Sequence, residues 1–159
     1  MWYKYPIIFF LFWIFAILQN SFFVHFNLFG ALPNLVFLLF YLLVFFSGKI
    51  RNYLATEEII FYATAAGLFL DVFSGAYFGV SIILLLVIGL LSKKVQSMLQ
   101  ENANDKFPIA YFLPLFFVSL LTYDFFNFFS IVGIIYNLIV ATVAFYIYKR
   151  FFYNEKLSS

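Results

Sequence analysis

Two aspartates and one histidine are the residues of this sequence whose types could support chemistry inside an otherwise apolar chain. Asp71 lies in the stretch GLFLDVFSGAYFGVS, and no other charged residue occurs within positions 59–92. Asp124 lies in SLLTYDFFNFFS, and His25 lies upstream beside several amides. Carboxylates in apolar surroundings can couple to protons or ions, dock a cation of a partner, or accept hydrogen bonds from backbone N–H groups.

The residue types available exclude the usual catalytic and metal-binding arrangements. The chain has no cysteine and a single histidine, so a thiolate nucleophile, an iron–sulfur cluster or a cysteine-ligated zinc site is excluded. It also contains no Ser/His/Asp set at catalytic spacing, no phosphate-binding glycine loop and no HExxH motif. We therefore predict a protein that is not an enzyme and that has neither a metal site nor a cofactor.

Three interpretations of Asp71 stay open at this point. It can accept N–H bonds at a helix end, from the turn at Ser74 and Gly75. It can instead receive a basic group of a partner, or act as a proton- or ion-coupling site. Asp124 has a simpler alternative, since it can reach the outer water.

The composition indicates that the elements carrying these residues lie in lipid. Apolar residues make up 66% of the chain and charged residues 10%, whereas soluble globular proteins average about 45–50% and about 25%. A chain of 159 residues cannot hide that much apolar surface from water. We therefore predict an all-α integral membrane protein that forms a single domain over residues 1–159.

Polar breaks divide the chain into six predicted transmembrane helices. One bilayer span needs about 20 residues, so residues 59–92 must hold two helices joined at FSGAYFG. Pro33 is expected to open the second helix and Thr56 to cap the third. Residues 93–99 either extend the fourth helix or form a short interfacial helix. The predicted helix ranges are 6–23, 33–48, 57–73, 76–92, 108–129 and 131–152.

The nine Lys and Arg residues all fall on one side of these six predicted helices. They precede the first helix, lie between the second and third and between the fourth and fifth, and follow the bulk of the sixth. By the positive-inside rule this side is cytoplasmic, with both termini inside. Topology alone explains the cations, so no nucleic-acid partner is expected. Asp71 and Asp124 then fall near the outer ends of their helices.

Three glycines recur at multiples of four residues around Asp71, namely Gly67, Gly75 and Gly79. Small residues at this spacing let helix backbones approach each other closely in membranes. The conservative interpretation is close packing of the third and fourth helices with their turn. Association with a helix of another protein is the alternative.

The residues that carry these features resemble the MreD family of rod shape-determining proteins, over roughly residues 16–92. The shared motifs are Leu18 with Gln19 at the end of the first helix, Gly30 with Pro33, Asn34 and Leu35 at the start of the second, and the series Gly67, Asp71, Gly75 and Gly79. The chain departs from the family at Ala63, where members often have glycine, and near Tyr77, where they often have proline.

The resemblance implies a non-enzymatic multi-pass subunit of the bacterial cytoplasmic (inner) membrane, a scaffold of the lateral peptidoglycan-synthesis complex. It implies an MreC-like bitopic protein as partner and, indirectly, MreB-like filaments and peptidoglycan synthases. The candidate partner-binding or structural residues are Pro33, Asn34, Gly67, Asp71, Gly75, Gly79 and Asp124.

The MreD fold is thought to resemble the substrate-capture subunits of energy-coupling-factor transporters. The alternative function is therefore the substrate-binding membrane component of a vitamin-type transporter. Such subunits usually have an Ala-x-x-x-Ala motif in the first helix, whereas here Ala16 stands alone. A third class, a proton-coupled carrier using Asp71 and Asp124, lacks the inverted repeat expected of many carriers.

Overall fold

The described part of the chain is all-α, as predicted. The computed structural model describes residues 4–26, 33–51, 55–74, 77–98, 128–148 and 150, and no strand occurs among them. The helices are α1 (Lys4–Ser21), α2 (Leu35–Arg51), α3 (Thr56–Ser74), α4 (Val80–Met98) and α5 (Phe128–Tyr148), with a 3-10 helix at Phe23–Phe26.

Two predicted helix starts are wrong, because other residues accept the first backbone hydrogen bonds. The carbonyl of Asn34 accepts the N–H of Leu38 at 3.0 Å, so Asn34 is the cap of α2 and Pro33 precedes it. The carbonyl of Ala55 accepts the N–H of Ile59 at 3.3 Å. Ala55 therefore occupies the cap position of α3, and Thr56 is its first helical residue.

The bounds of α4 and α5 also differ from the predicted ranges. α4 begins at Val80 rather than at residue 76, and it continues to Met98. Residues 93–98 thus extend the fourth helix, which was one of the two alternatives. α5 begins at Phe128, so the predicted helix break near Ser130 is wrong. The rest of the predicted fifth helix, with Asp124, lies outside the described residues.

The chain divides into two compact units, and the first, Met1–Phe26 with Asn34–Glu101, contains α1 to α4. Helices α1 and α3 begin at the same end of this unit, because Lys4 pairs with Glu58. Farther along the two helices, the rings of Phe9 and Phe69 are 5.1 Å apart. The two helices therefore run parallel.

Helices α3 and α4 form an antiparallel hairpin in which the backbones touch. A Cβ atom added at Gly67 would lie 2.6 Å from the N and Cα atoms of Ile82. A Cβ atom at Gly89 would lie 2.5 Å from the Cγ2 atom of Ile59. Glycine at both positions lets the two helices pack more closely than larger residues would allow.

Apolar side chains fill the interior of the first unit and also cover much of its exterior. The largest fully buried side chains include Tyr62, Phe12, Phe37, Phe40, Ile59 and Leu85. Among the described residues of the whole chain, more large apolar side chains are exposed than apolar side chains are buried. α1 exposes Ile7, Phe10, Trp13 and Ile17, and α4 exposes Ile83, Val87, Leu90 and Leu91.

The second unit, Asn27–Pro33 with Asn102–Ser159, has α5 as its described helix. Ile134, Ala141 and Phe145 are buried along one stripe of α5, while Ile135, Ile139 and Val143 are exposed on another. The polar side chains hydrogen-bond within the helix. Asn137 donates to the carbonyl of Gly133, and Thr142 donates to that of Leu138, both at 2.8 Å.

By length and composition, one helix within the described ranges, α1, could cross a membrane. Shorter apolar segments occupy Leu35–Val44 in α2 and Ile131–Ile147 in α5.

Candidate functional site

Asp71 joins the end of α3 to the start of α4. Its side chain lies in the last turn of α3, and the residue is 3% exposed. The Oδ2 atom accepts the N–H of Gly79 at 2.6 Å, and the Oδ1 atom accepts the N–H of Ser81 at 3.1 Å. This geometry matches the helix-end interpretation of Asp71: the donors are Gly79, which directly precedes α4, and Ser81 in its first turn.

The start of α4 needs this external acceptor. The first N–H groups of any helix have no partner within the helix, and the cap side chain usually supplies one. Gly79 occupies the cap position, since its carbonyl accepts the N–H of Ile83 at 3.1 Å, and it has no side chain to offer. Asp71 replaces the missing side chain from the preceding helix, and its negative charge also suits the positive end of the helix dipole.

Two glycines fix the geometry of this junction. Gly79 has a φ of +98°, in the region that residues with a Cβ rarely adopt. Gly67, one turn before Asp71, lets α3 touch the backbone of Ile82. The close approach at Gly67 brings the first turn of α4 within reach of the Asp71 carboxylate.

A second junction at the same end of the first unit joins α1 to α2. The Oδ1 atom of Asn34 accepts the N–H of Phe37 at 2.9 Å, as an N-cap side chain does. The side-chain oxygen of Gln19, near the end of α1, accepts the N–H of Val36 at 3.3 Å. Gln19 and Asp71 therefore have the same role, because each side chain accepts the second N–H of the helix that follows its own.

The structure brings most of the predicted site residues to these two junctions. Asn34 is the cap of α2, and buried Pro33 precedes it. Gly67, Asp71 and Gly79 form the α3–α4 junction. The remaining two candidates, Gly75 and Asp124, lie outside the described residues.

The sequence places Gln19 in the family motif and among the amides near His25, but it assigns Gln19 no contact. The available signal was its position, since it is an amide in the last turn of a helix that precedes another helix start. Asn20 beside it has a local role, because its side chain donates to the carbonyl of Ala16 at 2.8 Å. Such local hydrogen bonds are common for Asn in helices.

A polar cluster lies at the opposite end of the first unit. Lys4 forms an ion pair with Glu58, which is buried, and the ammonium lies 5.9 Å from the ring centre of Tyr62. Lys93, near the end of α4, donates to the hydroxyl of Thr56 at 3.0 Å. Sequence reasoning placed Glu58 only at the positive end of the α3 dipole, because nothing in the sequence links residues 54 positions apart.

The double variant Lys4→Glu with Glu58→Lys, which exchanges the two charges, should recover most of the stability that either substitution alone removes. Lys4→Met removes the ammonium that pairs with the buried carboxylate of Glu58. We expect a loss of about 1–3 kcal/mol, below the value for a fully buried pair because Lys4 is partly exposed. Lys4→Glu should be worse, since it sets two carboxylates side by side. Thermal unfolding of the purified protein in detergent measures the effect.

The control for this experiment is Glu57→Gln, which removes an exposed charge from the first turn of α3. It should leave the unfolding temperature nearly unchanged. The pairing would be disproved if Lys4→Glu combined with Glu58→Lys were no more stable than Lys4→Glu alone.

Within the described ranges, no three His, Asp or Glu side chains come together in a way that could hold a metal ion. The polar side chains at the two junctions bind backbone N–H groups, so their geometry serves to position helices. Comparison of the chain with family models, with curated proteins and with solved structures finds no match in any of the three.

Proposed function

We propose that this chain is a multi-pass protein of the bacterial cytoplasmic membrane that acts as a non-enzymatic scaffold of MreD type. In this role it binds an MreC-like bitopic protein in the complex that builds the lateral cell wall. The proposal combines the family resemblance of residues 16–92 with the placement of charge, apolar surface and junction residues in the described structure.

The exposed apolar faces support a membrane location. α1, α4 and α5 each carry rows of exposed Phe, Ile, Leu or Val side chains. Soluble monomers rarely expose contiguous apolar patches larger than a few hundred Å². A bilayer covers such faces at no cost, because lipid tails are as apolar as the side chains.

The distribution of charge supports an orientation in that membrane. Lys4 lies at the start of α1, Lys49 and Arg51 lie in the last turn of α2, and Lys93 and Lys94 lie toward the end of α4. α2 starts beside Gln19, near the end of α1, and farther along α2 the ring of Phe40 lies beside Gly89 of α4. α2 therefore ends at the end of the unit where α1 begins. These five cations therefore share one end of the first unit, which the positive-inside rule assigns to the cytoplasm.

The observation that carries the scaffold role is the use of Asp71. Its carboxylate accepts the backbone N–H groups of Gly79, the cap of α4, and of Ser81 in its first turn, so both oxygens are engaged in holding two helices together. Because Asp71 is 3% exposed, little water can reach this site to satisfy those N–H groups. The motif residues Gln19, Asn34 and Gly67 likewise set helix positions, which suits a subunit that acts by presenting a defined helical surface.

Affinity purification of the tagged full chain tests the scaffold role directly. Expressed with the MreC-like and MreB-like proteins of its own genome, it should retain the MreC-like protein through detergent washes, and its depletion should turn rods into round cells. Reporter fusions after Asn27 and Gly75 should report the outside, and fusions after Arg51 and Asn102 the inside.

The outcomes separate the scaffold from its main rival. Unchanged rods after depletion, with no recovery of the MreC-like protein, would overturn the scaffold role. Tight binding of a small vitamin-like solute by the purified chain in calorimetry would instead favour the substrate-capture function.

A further inference from the structure

In the first unit, exposed aromatic side chains lie at the end where Asp71 is located. Phe22, which precedes the 3-10 helix after α1, and Phe26, which ends it, are 53% and 54% exposed. Tyr77 and Phe78, which precede α4, are 89% and 72% exposed. We propose that these four residues, the aromatic rim, bind the boundary between headgroups and acyl chains of the phospholipid bilayer, an inference that rests on the proposed membrane location.

Two separate segments place the rim at one end of the unit. α1 and α3 run parallel, since the ring of Tyr5 lies 4.7 Å from that of Phe61 and the ring of Phe9 lies 5.1 Å from that of Phe69. Phe22 follows α1 directly, and Tyr77 follows the end of α3 by three residues. Exposed aromatic rings from both segments therefore lie at the same end of the first unit.

The length of α1 matches the distance between the two surfaces of a bilayer. Its 18 residues span about 27 Å, close to the hydrocarbon thickness of about 30 Å. Lys4 begins this helix, and Phe22 comes directly after it. With Lys4 at the cytoplasmic surface, the rim falls at the opposite surface, and Trp13, which is 44% exposed, falls near the midplane.

The chemistry of the rim fits a lipid boundary better than water or an anionic surface. The ring centres of Phe22 and Phe26 are 5.1 Å apart, so the two rings together form one apolar surface. Tyr77 carries a hydroxyl that can reach the headgroups while its ring stays among the chains. Tyr and Trp are enriched at this depth in membrane proteins, and the described residues at this end include no Lys or Arg that would attract anionic headgroups.

Depth-dependent quenching of tryptophan fluorescence tests the placement. The chain has two tryptophans, so Trp2→Phe leaves Trp13 as a single midplane reporter. Trp2→Phe and Trp13→Phe combined with Phe26→Trp or Phe78→Trp give two single rim reporters. Each variant is reconstituted into phosphatidylcholine vesicles that carry bromine either near the headgroup or deep in the acyl chain.

We expect both rim reporters to lose more emission to the shallow bromines than to the deep ones, and Trp13 to show the reverse. Deep quenching of Trp13 without shallow quenching of either rim reporter would overturn the rim and leave the membrane location intact. Absence of quenching for all three reporters would overturn the rim together with the membrane location.

Discussion

Asp71→Ala should destabilise the protein by about 2–5 kcal/mol, because it leaves two N–H groups at the start of α4 without an acceptor. The N–H of Gly79 loses a 2.6 Å bond and that of Ser81 a 3.1 Å bond. Glycine at the cap position cannot take over the role. The expected result is a lower unfolding temperature in detergent, together with faster hydrogen exchange of the amides at the start of α4.

Asp71→Asn tests whether both oxygens are needed. The amide has the shape of the carboxylate, but one of its two arms is a donor and cannot accept an N–H. We therefore expect a loss smaller than that of Asp71→Ala, with faster exchange at one of the two amides. A matched control is Glu57→Ala, which removes an exposed carboxylate from the first turn of α3 and should cost no more than about 1 kcal/mol.

Hydrogen exchange distinguishes the capping role of Asp71 from a role in partner docking or ion coupling. A docking or coupling residue can be removed without changing protection at Gly79 and Ser81. Unchanged exchange at both amides in Asp71→Ala, with an unchanged unfolding temperature, would therefore disprove the cap. Loss of protection confined to the start of α4 would locate the effect at this junction.

Local signals in the sequence were enough to predict the helical class and the approximate position of most helices. The run at residues 59–92 was too long for one helix, and FSGAYFG contained the break. The start of α4 was predicted four residues early because the turn was expected to be centred on Ser74 and Gly75, whereas α4 begins at Val80. The positive φ of Gly79 sets the true start, and no neighbouring residue type reveals it.

Contacts between distant segments were beyond the reach of the sequence. The donors to Asp71 depend on where α4 begins, and the pairing of Lys4 with Glu58 depends on α1 and α3 running side by side.

The predicted start of α2 at Pro33 is wrong for a different reason. Both Pro33 and Asn34 favour helix starts, but the side-chain oxygen of Asn34 binds an N–H, so the cap moves one residue past the proline.

Gly67→Ala should cost about 3 kcal/mol, at the upper end of the range for overpacked cores. The added Cβ would lie 2.6 Å from the N and Cα atoms of Ile82. Both are backbone atoms of α4, so relief requires the helices to separate rather than a side chain to turn. Separation would also draw the start of α4 away from Asp71. Thr64→Ala, an exposed position in the same helix, is the control for the thermal measurement.

A comparison with Gly89→Ala identifies the backbone as the obstacle at Gly67. At Gly89 the added Cβ meets the Cγ2 atom of Ile59 at 2.5 Å and the ring of Phe40 at 3.3 Å, and both are side chains. Ile59→Ala removes Cγ2, so Gly89→Ala should cost less in that background than in the native chain. Ile82→Ala removes the Cγ1 atom, which the added Cβ would meet at 2.7 Å, but leaves the Cα and N atoms in place at 2.6 Å. It should therefore relieve Gly67→Ala only in part. Relief at Gly67 equal to that at Gly89 would show that side-chain crowding, and not backbone contact, sets the spacing of α3 and α4.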